Sequence, residues 1–202
     1  LQPGEEKDAK PITQVTPLDL ERELRAREKE HKQRGIELKR EQIRDSAAKQ
    51  AELTGAYSVI YADPPWEYQN SGIDASAASR YPTMPTADIC ELLKVNKIKA
   101  TENAALFLWA TNPLLLDALK VLEAWGFTYR TNMVWTKNNH AGGFYVRGQH
   151  ELLLVATRGS FLPVLTYSSH LHAPITRHSE KPPILYSMIE GMYPKQQYLE
   201  LF

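Results

Sequence analysis

Short apolar runs alternate along the chain with longer segments that carry apolar residues on one side. The runs are continuous and rich in β-branched or aromatic residues, which predicts buried strands at Tyr57–Ala62, Ala104–Thr111, Thr131–Thr136 and Glu151–Thr157. The remaining pattern predicts helices at Thr86–Leu93, Pro113–Trp125 and Pro182–Glu190, and a last strand at Gln197–Phe202. Strands that alternate with helices in this way indicate an α/β fold, in which helices cover a sheet.

The predicted helices have recognisable ends. Thr86 stands where the N-cap of the first helix belongs. Gly126 and Gly191 stand where C-terminal caps belong, because glycine readily adopts the left-handed conformation that often ends a helix. We therefore expect the second and third helices to end beside these glycines.

The first 53 residues differ from the rest in charge density. Half of the 24 basic and 24 acidic side chains lie in residues 1–53, so both parts of the chain are neutral. Residues 18–53 contain no proline, and opposite charges recur at helical spacing, as at Glu21 and Arg25, which favours a solvated helix. We interpret residues 1–53 as a charged helical arm or linker and residues 54–202 as the α/β domain. A dimerising or nucleic-acid-contacting helix is the alternative interpretation of the arm.

Composition narrows the class of protein. No apolar stretch approaches the roughly 20 residues that cross a bilayer, and the first residues lack the features of a signal peptide. The single cysteine, Cys90, excludes an internal disulfide and a multi-thiolate zinc site, which favours a reducing compartment. We expect a cytoplasmic protein with no membrane association. Because the chain stops inside a predicted strand, we also expect the α/β domain to be incomplete at the C-terminus.

Two polar segments follow predicted strand ends. They are rich in Gly, Ser and Asn and span Gln69–Arg80 and Lys137–Gly148. In open α/β sheets the ligand crevice lies outside the carboxyl ends of the strands, so these loops predict the location of a site.

Asp63-Pro64-Pro65-Trp66 directly follows the first predicted strand. The prolines stiffen the turn and keep their carbonyl acceptors while lacking N–H donors. Such a turn suits a flat ring with an exocyclic amine: Asp63 and the Pro64 carbonyl accept its two N–H bonds while Trp66 stacks on the ring. Asp63 could also take up a released proton. The adenine amino group fits this description.

The sequence resembles the MT-A70 family of adenine methyltransferases, and the resemblance runs in the same order over the last three quarters of the chain. The matching segments are VIYADPPWEY, YPTM, LFLWAT, LEAWGF, VWTK, HELLLVATRG, HSEKP and LELF. The resemblance implies a Rossmann-like methyltransferase fold that binds S-adenosylmethionine and methylates N6 of adenine. The segments AWGFTYRT and RGQHELLLVATRG are similar to the bacterial and phage branch, for which DNA is the expected substrate.

The resemblance also implies roles for particular residues. Asp63, Pro64, Pro65 and Trp66 match the catalytic tetrapeptide, and His150 and Glu151 match a supporting pair. The residues implied to bind the cofactor are Asp63, Lys181, Glu200 and Phe202. The residues implied to bind substrate are Tyr68, Asn70, Tyr81, Lys137 and Arg147. The cofactor loop that follows the last strand in the family is absent from this chain.

Two negative observations agree with this interpretation. No G-x-G-x-x-G or P-loop pattern is present, and S-adenosylmethionine has no phosphate for such a loop to bind. His170 and His172 would share one face of a strand, but no acidic residue or cysteine lies near them in a known metal-binding spacing, so no metal site is predicted.

The sequence therefore predicts a DNA adenine N6-methyltransferase. A target base in a duplex would have to flip out, or be supplied single-stranded, and partners are expected to be nucleic acid, with a homodimer or heterodimer possible. In a bacterium or phage the protein would associate with the nucleoid. The candidate phosphate contacts are Arg80, Lys137, Arg147, Arg158 and Arg177.

Three alternatives remain open at this point. The substrate could be RNA, since the tetrapeptide does not distinguish the two polymers. The chain could be a non-catalytic scaffold subunit, although such family members generally carry a degraded tetrapeptide. A small-molecule or protein-glutamine methyltransferase would typically carry Asn-Pro-Pro with an aromatic residue, where this chain has Asp63 and Trp66.

Overall fold

The computed structural model describes residues 55–67, 83–138, 145–175 and 180–202. The predicted arm, the first polar loop and the centre of the second loop lie outside these residues. The division of the chain at residue 53 therefore stays a prediction. None of the helices in the described ranges is long and apolar enough to cross a membrane.

The described residues form six strands and three α-helices. The strands are β1 (Ala56–Ala62), β2 (Lys99–Ala110), β3 (Thr128–Thr136), β4 (His150–Arg158), β5 (His170–His172) and β6 (Tyr198–Leu201). The helices are α1 (Thr86–Val95), α2 (Leu115–Ala124), which a short 3₁₀ turn precedes at Asn112–Leu114, and α3 (Ile184–Met192). The predicted α/β alternation is confirmed, and every predicted element in the described ranges is present within a few residues of its expected bounds.

The six strands form one mixed sheet in the order β5-β3-β4-β2-β1-β6. β1 runs parallel to both β2 and β6, and β3 runs parallel to β5, whereas β4 is antiparallel to its neighbours β2 and β3. The reversal brings the start of β4 to the edge where β1, β2, β3 and β6 end, since Leu152 pairs with Ala110. We call this edge the carboxyl edge of the sheet.

Helices pack on both faces of the sheet. α1 and α2 cover one face, where Ile89 and Leu122 are buried with the inner strands, and α3 covers the other, where Leu185 is buried. Trp109, Trp125 and Trp135 belong to the core, since the exposed fraction of each is at most 4%. Their indole N–H groups donate hydrogen bonds to Tyr61, Ile89 and Ala173 respectively, so no buried indole nitrogen is left unpaired.

Two of the three predicted helix ends are wrong. Thr86 is the first residue inside α1, and Pro85, with an extended backbone, occupies the cap position without a side-chain hydrogen bond. Gly191 lies inside α3, because the helix continues to Met192 and ends where Tyr193 packs into the core. Gly126 is confirmed: it follows α2 with a φ of 79° and donates its N–H to the Glu123 carbonyl.

Candidate active site

Asp63 follows the last residue of β1 at the carboxyl edge. Its backbone N–H donates to the carbonyl of Leu201 on β6 at 3.1 Å, which extends the pairing of the two strands by one step. The next turn is fixed from both sides: Trp66 N–H donates to the Pro64 carbonyl at 2.8 Å, and Met84 N–H donates to the Pro65 carbonyl at 2.7 Å. A carboxylate therefore stands on a turn that hydrogen bonds fix, beside the carbonyl groups of Pro64 and Pro65.

Trp66 anchors this turn in the core. Its exposed fraction is only 6%, and its indole N–H donates to the carbonyl of Trp109 at 3.0 Å. A ring that stacks on a base needs an open face, and this burial leaves Trp66 little surface for that role. The geometry favours Trp66 as the residue that pins the turn to β2 rather than as the predicted stacking platform.

Asp63 belongs to a line of four alternating charges. Lys181 Nζ lies 2.7 Å from Asp63 Oδ2 and 3.4 Å from Glu151 Oε2, and Glu151 Oε1 pairs in turn with Lys137 Nζ. The side chains of these four residues are between 12% and 26% exposed, so solvent screens their interactions only partly. The two ammonium groups also lie over aromatic rings, Lys181 above Trp109 and Lys137 above Trp135.

Burial raises the pKa of the Asp63 carboxyl above its usual value of 3.8, because a partly desolvated carboxylate is disfavoured. The Lys181 ammonium opposes this effect through its charge and its hydrogen bond, while the negative charge of Glu151 adds to it. Asp63 is thus a more basic carboxylate than one exposed to water, which suits a group that accepts hydrogen bonds and a proton.

A second polar group lies beside the first, where β6 meets α3. The Tyr186 hydroxyl on α3 donates to Glu200 Oε1 at 2.6 Å, and this bond raises the pKa of Tyr186 to about 12. The Tyr186 ring meets the Tyr61 ring edge to face at 5.5 Å. Glu200 is exposed and pairs with Tyr61 in the sheet register, two residues before Asp63. Phe202 follows at the same edge and is 39% exposed.

The structure brings some of the predicted site residues together. Asp63, Pro64, Pro65, Lys181, Glu200 and Phe202 all lie at the carboxyl edge, as does Arg147, which is exposed just before β4. Lys137 also lies there, but its ammonium turns inward to Glu151 and is not free for the phosphate contact that the sequence predicted. The remaining predicted residues, Tyr68, Asn70, Arg80, Tyr81 and Arg177, lie outside the described residues.

Arg158 is at the wrong end of the sheet for the predicted phosphate contact. It pairs with Ala104 at the opposite edge, seven residues along β4 from Glu151, which corresponds to about 23 Å. Because β4 runs antiparallel to β2, its last residue lies at the edge opposite the site.

Sequence reasoning missed the hydrogen bond of Tyr186 to Glu200 and the pairing of Lys137 with Glu151. Tyr186 lies within a predicted helix, and nothing in the helical pattern distinguishes it from a surface residue. Glu151 was expected to support the site, but its pairing with Lys137 was not predicted. That pairing depends on the direction of β4, which the sequence did not reveal. Within the described ranges, His, Cys, Asp and Glu side chains form no group of three that could hold a metal ion.

The sheet, the turn after β1 and the paired Asp63 and Lys181 define a Rossmann-like methyltransferase. Residues 57–202 match the model of the MT-A70 family. The chain is 33% identical to the type II methyltransferase M.MunI from Mycoplasma, with 72% of this chain and 71% of that protein covered. It is also 28% identical to a probable N(6)-adenosine-methyltransferase MT-A70-like protein of rice and 27% identical to the human N(6)-adenosine-methyltransferase catalytic subunit METTL3. The alignments cover 75% and 74% of this chain but only 21% and 26% of those proteins.

The chain belongs to the MT-A70 family. Its enzyme class is that of an S-adenosylmethionine-dependent adenine N6-methyltransferase, as the sequence resemblance implied. The residues at the carboxyl edge fit this cofactor: its amino-acid part carries a carboxylate and an ammonium group, and Lys181 and Asp63 offer the opposite charges side by side.

Proposed function

We propose that the carboxyl edge of this domain methylates the N6 amino group of adenine in DNA. The observation that carries the proposal is the Asp63 carboxylate, held at 2.7 Å by Lys181 on a rigid turn whose next residue, Pro64, presents a carbonyl oxygen. Asp63 Oδ2 bonds to Lys181, and within the described residues Oδ1 has no hydrogen-bond partner. Oδ1 and the Pro64 carbonyl oxygen therefore supply two acceptors for the two hydrogens of an amino group.

These two acceptors explain how the amine becomes a nucleophile. The Pro64 carbonyl already accepts the N–H of Trp66, but a carbonyl oxygen has two lone pairs and can accept a second hydrogen bond. Two acceptors that hold the hydrogens favour a more tetrahedral nitrogen whose lone pair is less delocalised into the ring. Asp63 then takes the proton that the nitrogen loses when it is methylated, which its raised pKa favours.

The neighbouring side chains would orient the cofactor. In this proposal Lys181 binds the methionyl carboxylate, and Glu200 and Phe202 line the adjacent end of β6. S-adenosylmethionine supplies an electrophilic methyl group on its sulfonium sulfur. The protein therefore has mainly to align the amine with that methyl group and to exclude water.

The choice of DNA rests on the branch of the family that the sequence resembles and on the share of each relative that aligns with it. The sequence is similar to the bacterial and phage branch of the family, for which DNA is the expected polymer. The Mycoplasma type II methyltransferase is matched over 71% of its length, whereas the rice and human adenosine methyltransferases are matched over about a quarter or less. Base flipping, or a single-stranded target, is required for an adenine to reach Asp63. Association with the nucleoid in the cytoplasm, and a homodimer or heterodimer as the working unit, accompany this proposal.

Methyl transfer to unmodified DNA and RNA pools tests the proposal. Transfer of a radiolabelled methyl group to DNA, mapped to adenine N6, is the expected result. Asp63→Ala should abolish transfer while S-adenosylmethionine binding, followed by calorimetric titration, largely survives. Asp117→Ala, which removes a half-buried carboxylate paired with Lys120 on α2, is the control and should leave transfer unchanged. Near-normal transfer by Asp63→Ala would overturn the role of this carboxylate.

RNA is the second candidate substrate. It is favoured by the similarity to N(6)-adenosine-methyltransferases of rice and human. Oligonucleotides of matched sequence, one of DNA and one of RNA, separate the candidates, because the 2′-hydroxyl is their main chemical difference. Faster transfer to RNA would replace DNA in the proposal and leave the role of Asp63 intact.

A further inference from the structure

The mechanism above uses Asp63 and Lys181 and leaves their two charged neighbours without a task. Glu151, at the start of β4, contacts Lys181 at 3.4 Å and pairs through its other oxygen with Lys137. Lys137 follows β3 and is fixed by its own backbone N–H, which donates to the Gln149 carbonyl at 2.8 Å. The ion pair of Lys137 and Glu151, which come from β3 and β4, therefore lies next to the ion pair of Lys181 and Asp63.

This second ion pair has a free-energy cost, because partly buried charges lose hydration that their pairing has to offset. The Lys137 and Glu151 side chains are each only 20% exposed, and each lies next to a group of opposite sign. The four charges sum to zero, so the array as a whole adds no net charge to the edge. The second pair therefore affects where the Lys181 ammonium lies more than the net charge of the site.

We propose that Glu151 and Lys137 are positioning residues that hold the Lys181 ammonium against Asp63. This inference rests on the proposed function of the same site. A lysine on a flexible four-carbon stem that meets one carboxylate can rotate about that contact. Lys181 instead meets Asp63 on one side, Glu151 on another and the Trp109 ring at 5.2 Å, which defines its position from three sides. Asp63 Oδ2 is thereby kept on the lysine and Oδ1 is kept for the amine.

Glu151 and Lys137 shift the pKa of Asp63 in opposite directions. The negative charge of Glu151 raises the pKa of Asp63, and the positive charge of Lys137 lowers it. The other ionisable groups that face Asp63 are Lys181, which lowers its pKa, and the hydroxyls of Tyr61 on β1 and Tyr186 on α3, which stay protonated in the acid range. Glu200 on β6 interacts with both tyrosines and is unchanged by the substitutions below.

The test measures Asp63 directly in the full chain, without requiring activity. Protein labelled with ¹³C at aspartate carboxyls is titrated by NMR, and the Asp63 signal is assigned by its loss in Asp63→Asn. Compared with the unsubstituted chain, Glu151→Gln should move the Asp63 midpoint to lower pH, and Lys137→Met should move it to higher pH. Lys137→Arg, which keeps the charge, should restore the midpoint. Glu91→Gln and Lys94→Met, from an exposed pair on α1, are the matched controls and should move nothing.

Methyl transfer supplies the second readout. Glu151→Gln should lower kcat by about 10-fold with a smaller change in KM, because the geometry of the bound amine is disturbed more than its binding. Midpoints that stay fixed, or that move in the same direction in Glu151→Gln and Lys137→Met, would overturn the positioning role. Midpoints that move as expected in a chain without methyl transfer would uphold the array and reject the proposed function instead.

Discussion

Asp63 is held between two opposing influences, burial that disfavours its charge and Lys181 that favours it. Burial prevails, and the pKa of Asp63 is raised. A group whose pKa is higher in the folded than in the unfolded chain stabilises the fold below its unfolded pKa. That contribution is lost as the pH rises through the folded pKa. The residue proposed to hold the amine therefore costs stability when it is ionised.

Comparison with Asp63→Asn isolates the stability that the protein loses when Asp63 ionises. The asparagine cannot ionise, so the stability of the wild type relative to the variant should fall as the pH rises from below 3.8 through the raised pKa. Urea unfolding of both proteins at several pH values measures this difference. A difference that grows with pH would mean that Lys181, not burial, dominates the pKa of Asp63.

The individual side chains at the site were predictable to different degrees. The tetrapeptide could be assigned because its chemistry is local: a carboxylate and a carbonyl on one stiff turn suffice to suggest an amine. The inward turn of Lys137 could not be predicted, because it depends on Glu151, which approaches on another strand. The burial of Trp66 was missed for the same reason, since its hydrogen-bond acceptor, the Trp109 carbonyl, is 43 residues away in the chain.

At the scale of elements, the apolar runs predicted β1, β3, β4, β6 and the buried part of β2. They missed two polar parts: the first five residues of β2 are mostly polar, and β5 is a three-residue strand with histidines at both ends. The direction of β4 was also not predictable, because a buried strand has the same apolar pattern in either direction. That direction decides that Glu151 reaches the site and that Arg158 does not.

Substitution of Gly126 and Gly159 tests how tightly the chain packs at the ends of α2 and β4. Gly126 after α2 and Gly159 after β4 both have positive φ, but a Cβ at Gly126 would meet nothing closer than 3.9 Å, whereas one at Gly159 would lie 2.6 Å from the Glu102 carbonyl oxygen. Gly126→Ala should cost about 1–2 kcal/mol from backbone strain alone. Gly159→Ala should cost about 3 kcal/mol or more, because the end of β4 must also move away from β2.

Chemical denaturation of both variants measures these costs. The matched pair isolates the close contact, since the left-handed strain is common to the two positions. Equal costs would show that the start of β2 yields easily to the added methyl group.

At the scale of the whole molecule, the formal net charge is zero, and each of the two regions of the chain is neutral on its own. The charge array at the carboxyl edge is neutral as well, and Lys137 is engaged within it. No broad positive field therefore draws a polyanion to the site. Binding of nucleic acid has to come from a few cations beside it, of which Arg147 is exposed in the described part of the chain.

Binding of DNA by this chain should accordingly be weak and sensitive to salt. Each phosphate contact contributes about −0.9 to the slope of log K against log salt concentration. Arg147→Ala should therefore make the slope shallower by about 0.9, measured by fluorescence anisotropy between about 50 and 200 mM salt. Arg158→Ala is the matched control, because Arg158 is also exposed but lies at the opposite edge of the sheet, and it should leave the slope unchanged. Tight binding that does not respond to salt, or an equal effect of both substitutions, would show that DNA does not approach the protein over the carboxyl edge.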